Sequence, residues 1–289
     1  MKPLSEVRAE IDKIDGEIHA LIMRRAELVR GVAEAKAQEA GLAGAQGFTA
    51  FRPGREAEVM RALAARHQGD LPLQVIFRIW RELMATATRM QGPFRVEVFG
   101  GAQALSYWDL ARSYFGSSTD MEQHSSARDV VRRVANDPAS IGILPRPGPD
   151  EDGDWWLNLV SGENAPRIVA RLPFLEIEGA ENGPVALVVA QADFEETGDD
   201  TTLLAVGTSG TGSEGRMSAR VEAAGFIGER LSVIASNVPD ELRYSLFAVP
   251  GFVRPDDPRL AQLVRDDLIE TVRVLGSYAN PVRRVRDGA

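Results

Sequence analysis

The stretch LSEVRAEIDKIDGEIHALIMRRAELVRGVAEAKAQ, residues 4–38, decides how the first third of the chain folds. Leu4, Val7, Ile11, Ile14, Ile18, Leu21, Arg25, Leu28, Val32 and Ala35 follow one another at alternating steps of three and four, a heptad seam. No proline interrupts it, and only Gly16 and Gly31 weaken it, so the spacing predicts one helix roughly 50 Å long. Arg25 intrudes on the stripe, where desolvating a guanidinium is costly unless an anion or a polar partner receives it. Lys36 falls about 20° away on the same face, whereas Arg8 lies roughly 100° round and can serve a different surface. Cations on the core face of a long helix point to an anion site inside a helical bundle.

Gly41, Gly44, Gly47 and Pro53 end this helix. A second is expected from about Gly54 to His67, with Val59, Met60 and Leu63 inward. A third is expected from about Pro72 to Met90, with Ile76, Ile79, Trp80, Leu83, Met84 and Ala87 as its apolar face. Two helices of about 20 and 27 Å cannot cover a 50 Å partner, so part of the seam stays wet in a monomer. A second copy of the chain would bury it, which predicts an entwined homodimer. A plain coiled coil is the blander reading, against which Arg25 and Lys36 count.

After Gly92-Pro93 the texture changes to short alternating strands and amphipathic helices. Strands are expected near Arg95–Phe99, Ser140–Leu144, Arg167–Ala170, Val185–Val189, Thr201–Val206, Leu231–Ala235, Tyr244–Val249 and Val272–Leu275. Helices are expected over Ser106–Phe115, Ala127–Ala135, Arg216–Ala224 and Arg259–Thr271, the whole forming two small α/β units that meet near 195–200.

The 289 residues, 44% hydrophobic and 26% charged, have the composition of soluble globular domains and enough length for real cores. Residues 1–91 carry about +2 and the remainder about −11 of the net −9, which argues against a nucleic-acid partner. The absence of cysteine excludes disulfides, thiolate metal sites and a thiol nucleophile. No apolar run reaches membrane-span length and no secretory segment opens the chain, so a cytoplasmic protein is expected.

Arg8, Arg25, Lys36, Arg55, Glu56 and Gln91 form the candidate site. Guanidinium forks bind carboxylates bidentately, so several around one cavity favour a small di-acid, and a neighbouring Glu can accept a hydroxyl proton. Taken singly, each is an ordinary surface ion-pair residue. His19, His67 and His124 lack metal-ligand spacing, and no cofactor or metal is expected. Gly210-Thr-Gly212-Ser-Glu-Gly215 has the glycine spacing of a dinucleotide loop, but too little chain follows for that fold, and it reads as a turn. Trp155-Trp156 reads as a packing anchor.

Residues 4–91 resemble the all-helical (AroQ-class) chorismate mutases. The resemblance lies in Leu4-x-x-Val-Arg8, Ile11-Asp12-x-Ile14-Asp15, Arg24-Arg25-Ala26-Glu27-Leu28-Val29, Lys36, Arg52-Pro53-x-Arg55-Glu56-Ala57-Glu58-Val59 and Arg81-Glu82-Leu83-Met84 through Gln91. It implies a dimer of three-helix chains in which each site borrows one arginine. Arg25 and the partner's Arg8 would hold the two carboxylates of chorismate, with Arg55 nearby. Lys36 and Gln91 would address the ether oxygen and Glu56 the ring hydroxyl. Arg52 and Ala87 would stand at further substrate-side positions; some family members have Asp where this chain has Arg52.

The remainder resembles a degenerate continuation of a bifunctional chorismate mutase–prephenate dehydratase. Phe99-Gly-Gly through Ser106, Phe115-Gly116 and Ile141-Gly-Ile-Leu-Pro145 echo the dehydratase, while Pro184-Val185-Ala186 stands where its Thr-Arg-Phe triplet belongs. Val274-Leu275-Gly276-Ser277-Tyr278 matches the end of an ACT domain, but no effector motif is recognisable around Ser236-Asn237-Val238-Pro239. The expected organisation is therefore a helical mutase domain over 1–91, a dehydratase-like α/β domain over 94–195 and an ACT-like domain over 200–282. The C-terminal region is expected to be non-catalytic or regulatory, with an aromatic amino acid as a candidate effector. Two other readings remain: an isochorismate-pyruvate lyase on the same scaffold, and a non-catalytic binding or regulatory subunit of the shikimate branch.

Overall fold

The structure, a computed structural model, describes residues 2–39, 50–148, 153–162, 164–179, 183–209, 214–234, 242–265 and 268–285, with the side chains of 32–39, 214 and 285 left aside. The N-terminal region is three helices: α1 (Leu4–Glu39), α2 (Pro53–Arg66) and α3 (Leu73–Gln91). The seam drawn from the sequence lies open along α1. Ile11, Ile14 and Ile18 are each about half exposed, and Leu28 is 66% exposed. α1 packs along α3 alone among the elements it touches extensively.

α2 starts on Pro53 at its first turn, where a missing N–H costs nothing. Met60 and Leu63 are buried as expected, and Val59 is half-buried. The α3 helix differs from expectation. Its fully buried face is Phe77, Arg81, Met84, Ala85 and Thr88, while Ile79 is exposed and Ile76, Trp80, Leu83 and Ala87 are half-buried. α3 has two apolar sides, and the one buried in a single chain faces the α/β region. Met60, Leu63, Phe77 and Met84 belong to the same core as Val98, Phe115 and Leu172.

The α/β region follows as β1 (Arg95–Phe99), α4 (Ala104–Phe115), β2 (Asp120–His124), α5 (Ala127–Asn136), β3 (Ser140–Pro145), a 3-10 turn (Trp155–Leu159), β4 (Arg167–Leu172), β5 (Leu175–Glu178) and β6 (Ala186–Ala190). Then come β7 (Asp200–Thr208), α6 (Glu214–Ala223), β8 (Glu229–Ile234), β9 (Arg243–Pro250), α7 (Pro258–Leu263), β10 (Ile269–Ala279) and β11 (Val282–Val285). α7 stops well short of the helix expected to Thr271. Its chain instead enters β10, where the β-branched run Ile269-x-Thr271-Val272 and Val274 suits a strand.

One nine-stranded sheet runs β2-β1-β3-β6-β4-β10-β7-β9-β8, and β5 pairs with β11 in a second, two-stranded sheet. β1 is parallel to β2 and β3, with α5 buried across them through Val130, Val131 and Val134. The last four strands are antiparallel in the order β10-β7-β9-β8, which with α6 and α7 makes a split βαβ unit. β7 is therefore flanked by antiparallel neighbours, unlike the parallel strands of a dinucleotide fold. Gly210–Ser213 of the glycine-spaced turn lie outside the described residues.

The two halves of the sheet meet where β10 touches β4 at Gly276 and Ile168. Gly276 has φ +147°, and a Cβ there would lie 2.0 Å from the Ile168 carbonyl oxygen. Only glycine admits that approach. Trp155 and Trp156 are fully buried in the core, as a packing anchor should be. Among the described residues no helix is long and apolar enough to cross a membrane.

Candidate active site

Each cation predicted on α1 sits differently. Arg8 is exposed. Arg25 is half-buried, and its Nη1 donates to the Leu83 carbonyl on α3 at 3.4 Å, a long bond. Lys36 belongs to the last turns of α1, and its side chain lies outside the described residues.

At the start of α2, Arg52 forms an ion pair with Glu195 of the α/β region, and exposed Arg55 pairs with Glu58 at 2.7 Å. On α3, half-buried Gln91 donates from Nε2 to the Ala87 carbonyl at 3.0 Å, one turn back. That intrahelical bond is readily exchanged for a ligand, because the Ala87 carbonyl retains a second lone pair and its own helical partner. The structure thus joins Arg25 to α3 and Gln91 to Ala87. It brings neither Arg8 nor Arg55 to them within one chain.

Glu56 is the most constrained member. It lies in the first turn of α2, where the helix dipole favours an anion, yet it is largely buried. Arg81 Nη1 donates to its Oε2 at 2.8 Å. Burial raises the Glu56 pKa above the usual carboxylate range, and the Arg81 charge and hydrogen bond oppose that rise. Arg81 itself is 4% exposed. Its guanidinium lies 3.5 Å from the centroid of the Tyr114 ring on α4 and 5.6 Å from that of Phe174, between β4 and β5. Burial pushes the Tyr114 phenol up to about 12, so it stays neutral.

Arg81 and Tyr114 were not singled out by sequence reasoning. The available signal was an arginine at i+4 from Phe77 and i−4 from Ala85, in the middle of a buried stripe.

A second polar cluster sits under α5. Glu97, buried in the middle of β1, accepts from Ser140 Oγ at 3.3 Å and meets His124 Nε2 at 2.5 Å. With Glu122, these offer three possible metal-ligand atoms within 4.8 Å of one another. The partners already present satisfy them, since Glu97 has His124 and Glu122 stands 3.6 Å from Arg133.

A three-helix segment carrying half-buried cationic and carboxylate groups, fused to an α/β sheet, defines the class of fold. Residues 7–92 match the family described as chorismate mutase type II, so the N-terminal region is a chorismate mutase type II domain. The bifunctional chorismate mutase/prephenate dehydratase of Pseudomonas aeruginosa is 28% identical over 142 residues, 49% of this chain and 38% of that one. The protein of the same description from Aquifex aeolicus is 27% identical over 149 residues, 50% of this chain and 39% of that one. The chain thus spans under two-fifths of those relatives' length. The solved prephenate dehydratase from Arthrobacter aurescens, in complex with L-Phe, has TM-score 0.47 and 14% identity over 64% of this chain and 90% of that chain.

Proposed function

We propose that this protein is a chorismate mutase, converting chorismate to prephenate within aromatic amino-acid biosynthesis in the cytoplasm. The match of residues 7–92 to the chorismate mutase type II family carries the reading, and the exposed seam of α1 supports its quaternary part. Two copies pair through α1, and each site takes Arg8 from the partner's helix. Arg25 and that Arg8 grip the two carboxylates of chorismate, with Arg55 beside them, and Lys36 and Gln91 donate to the ether oxygen. Glu56 accepts from the ring hydroxyl. Arg52 and Ala87 line the substrate's edge.

The rearrangement breaks a C–O bond and forms a C–C bond in one pericyclic step, with no nucleophile or proton transfer. A protein speeds it by holding the compact diaxial conformer and by placing donors where negative charge grows on the departing oxygen. Lys36 and Gln91 are suited to that task, and Gln91 keeps its donor across physiological pH. Residues 1–91 form the mutase domain in this reading, 94–195 a dehydratase-like domain and 200–282 an ACT-like one. The β10-β7-β9-β8 order supports the last assignment. The C-terminal region acts as structure or regulator, with phenylalanine, tyrosine or tryptophan as effector.

The test is the loss of chorismate absorbance with the product identified. Prephenate is expected. Salicylate with pyruvate, or no turnover at millimolar chorismate, overturns the proposal. The P. aeruginosa and A. aeolicus descriptions favour the mutase over those two outcomes.

A further inference from the structure

Glu56 is held by an arginine of its own domain, and that arginine rests on two rings of the α/β region. Arg81 is buried at 4% exposure, and its Nη2 has no hydrogen-bond partner among the described residues. A buried guanidinium is expensive unless its charge is answered. Here the answer comes from two sides. Nη1 holds Glu56 Oε2 at 2.8 Å, and the cation's face rests on Tyr114 at 3.5 Å with Phe174 farther off.

Glu56 belongs to α2 and Arg81 to α3, whereas Tyr114 and Phe174 belong to the α/β region. The same side of α3 is tied to that region twice more. Glu82 accepts from the Ser117 N–H at 2.8 Å, and Arg89 donates to Thr119 Oγ1 at 2.5 Å. Gly116, with φ +80°, lets the turn after α4 pass over Glu82, for a Cβ there would lie 2.7 Å from its Oε2. These contacts join α3 to the α/β region at points separate from Arg81.

We propose that Arg81 is a positioning residue for Glu56, and that Tyr114 and Phe174 of the α/β region complete the box that holds it. The inference rests on the chorismate mutase reading above. Its consequence is that the α/β region, whatever became of its own chemistry, remains part of the mutase site. With Nη1 on one oxygen, the carboxylate is oriented and its charged form is favoured against the upward push of burial, which leaves the other oxygen to accept from a ring hydroxyl. Among the described residues, Arg81 on α3 and Tyr114 on α4 are the titratable groups acting on Glu56 from the elements packed against it. Arg55 and Glu58 share its own helix, and Arg52 is that helix's N-cap.

The measurement follows Glu56 directly and through turnover, in the full-length protein. Carboxyl carbon NMR, assigned with Glu56→Gln, gives the Glu56 titration in wild type, Arg81→Gln, Arg81→Lys and Arg89→Gln. Steady-state kinetics from pH 5 to 9 gives KM and kcat for each, and for Tyr114→Leu. Arg81→Gln is expected to move the Glu56 titration and the acid limb of kcat/KM upward together by about one pH unit or more. It is also expected to raise KM about tenfold with a smaller change in kcat, because the hydroxyl contact exists in both ground and transition states. Arg81→Lys keeps the charge and lies between, and serves if Arg81→Gln does not fold. Tyr114→Leu raises KM about fivefold. Arg89→Gln cuts a different tie between α3 and the α/β region and leaves the Glu56 titration and KM unmoved. An unchanged Glu56 titration in the Arg81 variants, or equal displacement by Arg89→Gln, overturns the proposal. A wild type that does not turn over chorismate sinks the mutase reading instead, while the Glu56 titration still decides whether Arg81 sets its charge.

Discussion

Arg25 interrupts an otherwise apolar seam, and among the described residues it reaches the Leu83 carbonyl, a neutral acceptor at 3.4 Å. A cation placed that way is under-partnered for its burial, which suits a group waiting for a carboxylate. Arg25→Ala and Lys36→Ala are each expected to lower kcat/KM by two decades or more, ~3 kcal/mol. Losses under threefold in steady-state kinetics would remove those residues from the site. Gln91 permits a test with a sign. Gln91→Glu puts a carboxyl where a donor is needed, and it donates only when protonated. Activity should then rise as pH falls through that group's titration, where the wild type is flat; a flat profile in the variant would exclude Gln91 from the ether oxygen.

Elements reveal where periodicity is a reliable guide and where it misleads. The α1 seam was legible because it repeats over many turns, and α2 because Pro53 and its apolar spacing agree. The buried side of α3 was not, because Phe77, Arg81, Ala85 and Thr88 mix one ring with polar groups, and the competing stripe of Ile76, Ile79 and Leu83 is more apolar. Tertiary packing, which no local pattern encodes, decided between them. The same holds for β2, missed because Asp120-Met-Glu-Gln-His124 is mostly polar; it is an edge strand with a largely exposed face. Its His124 nevertheless answers the buried Glu97 of β1, as Glu97 pairs in register with Glu122. Truncating His124 leaves the buried Glu97 carboxylate with Ser140 Oγ at 3.3 Å, so His124→Leu should lose about 3 kcal/mol in urea unfolding. Glu97→Leu with His124→Leu should recover most of it, and failure to recover would show that packing rather than charge dominates. Of the candidate site residues, a single chain joins Arg25 to α3 and Gln91 to Ala87, and leaves Arg8 and Arg55 apart from them. Glu56 lies on α2, whose inward face was foreseen, whereas Gln91 lies on α3, whose buried face was not, and Arg81 and Tyr114 are brought together by an interface between regions.

In the whole molecule, α2 and α3 are locked to the α/β region, and among the described residues α1 is not. Arg61 on α2 donates to the Thr197 and Asp199 carbonyls and to that of Asn280, and Arg284 reaches the Ala64 carbonyl. α3 is tied through Arg81, Glu82 and Arg89, while α1 offers Leu4, Ile11, Ile14, Ile18, Leu21 and Leu28 to solvent. An exposed apolar ridge of that length favours association in water, and self-pairing through a two-fold axis would bury the same ridge on both copies. Ile14→Glu with Ile18→Glu puts charges into that ridge, and sedimentation should show monomers; an unchanged dimer would place the interface elsewhere. Arg8 and Arg25 stand about 25 Å apart on the same helix, so in the proposed pairing along α1 each Arg8 would serve the partner's site. If each site is built from two chains, damage to Arg8 and damage to Lys36 complement one another. In a mixture of Arg8→Ala and Lys36→Ala chains, one of the two sites in every heterodimer receives an intact Arg8 and an intact Lys36. Refolding equal amounts together yields about half heterodimers, so activity should return to about a quarter of wild type per site, against near-background values for either variant alone. No recovery, with heterodimers verified by differential tagging, would mean that each chain supplies its own arginine.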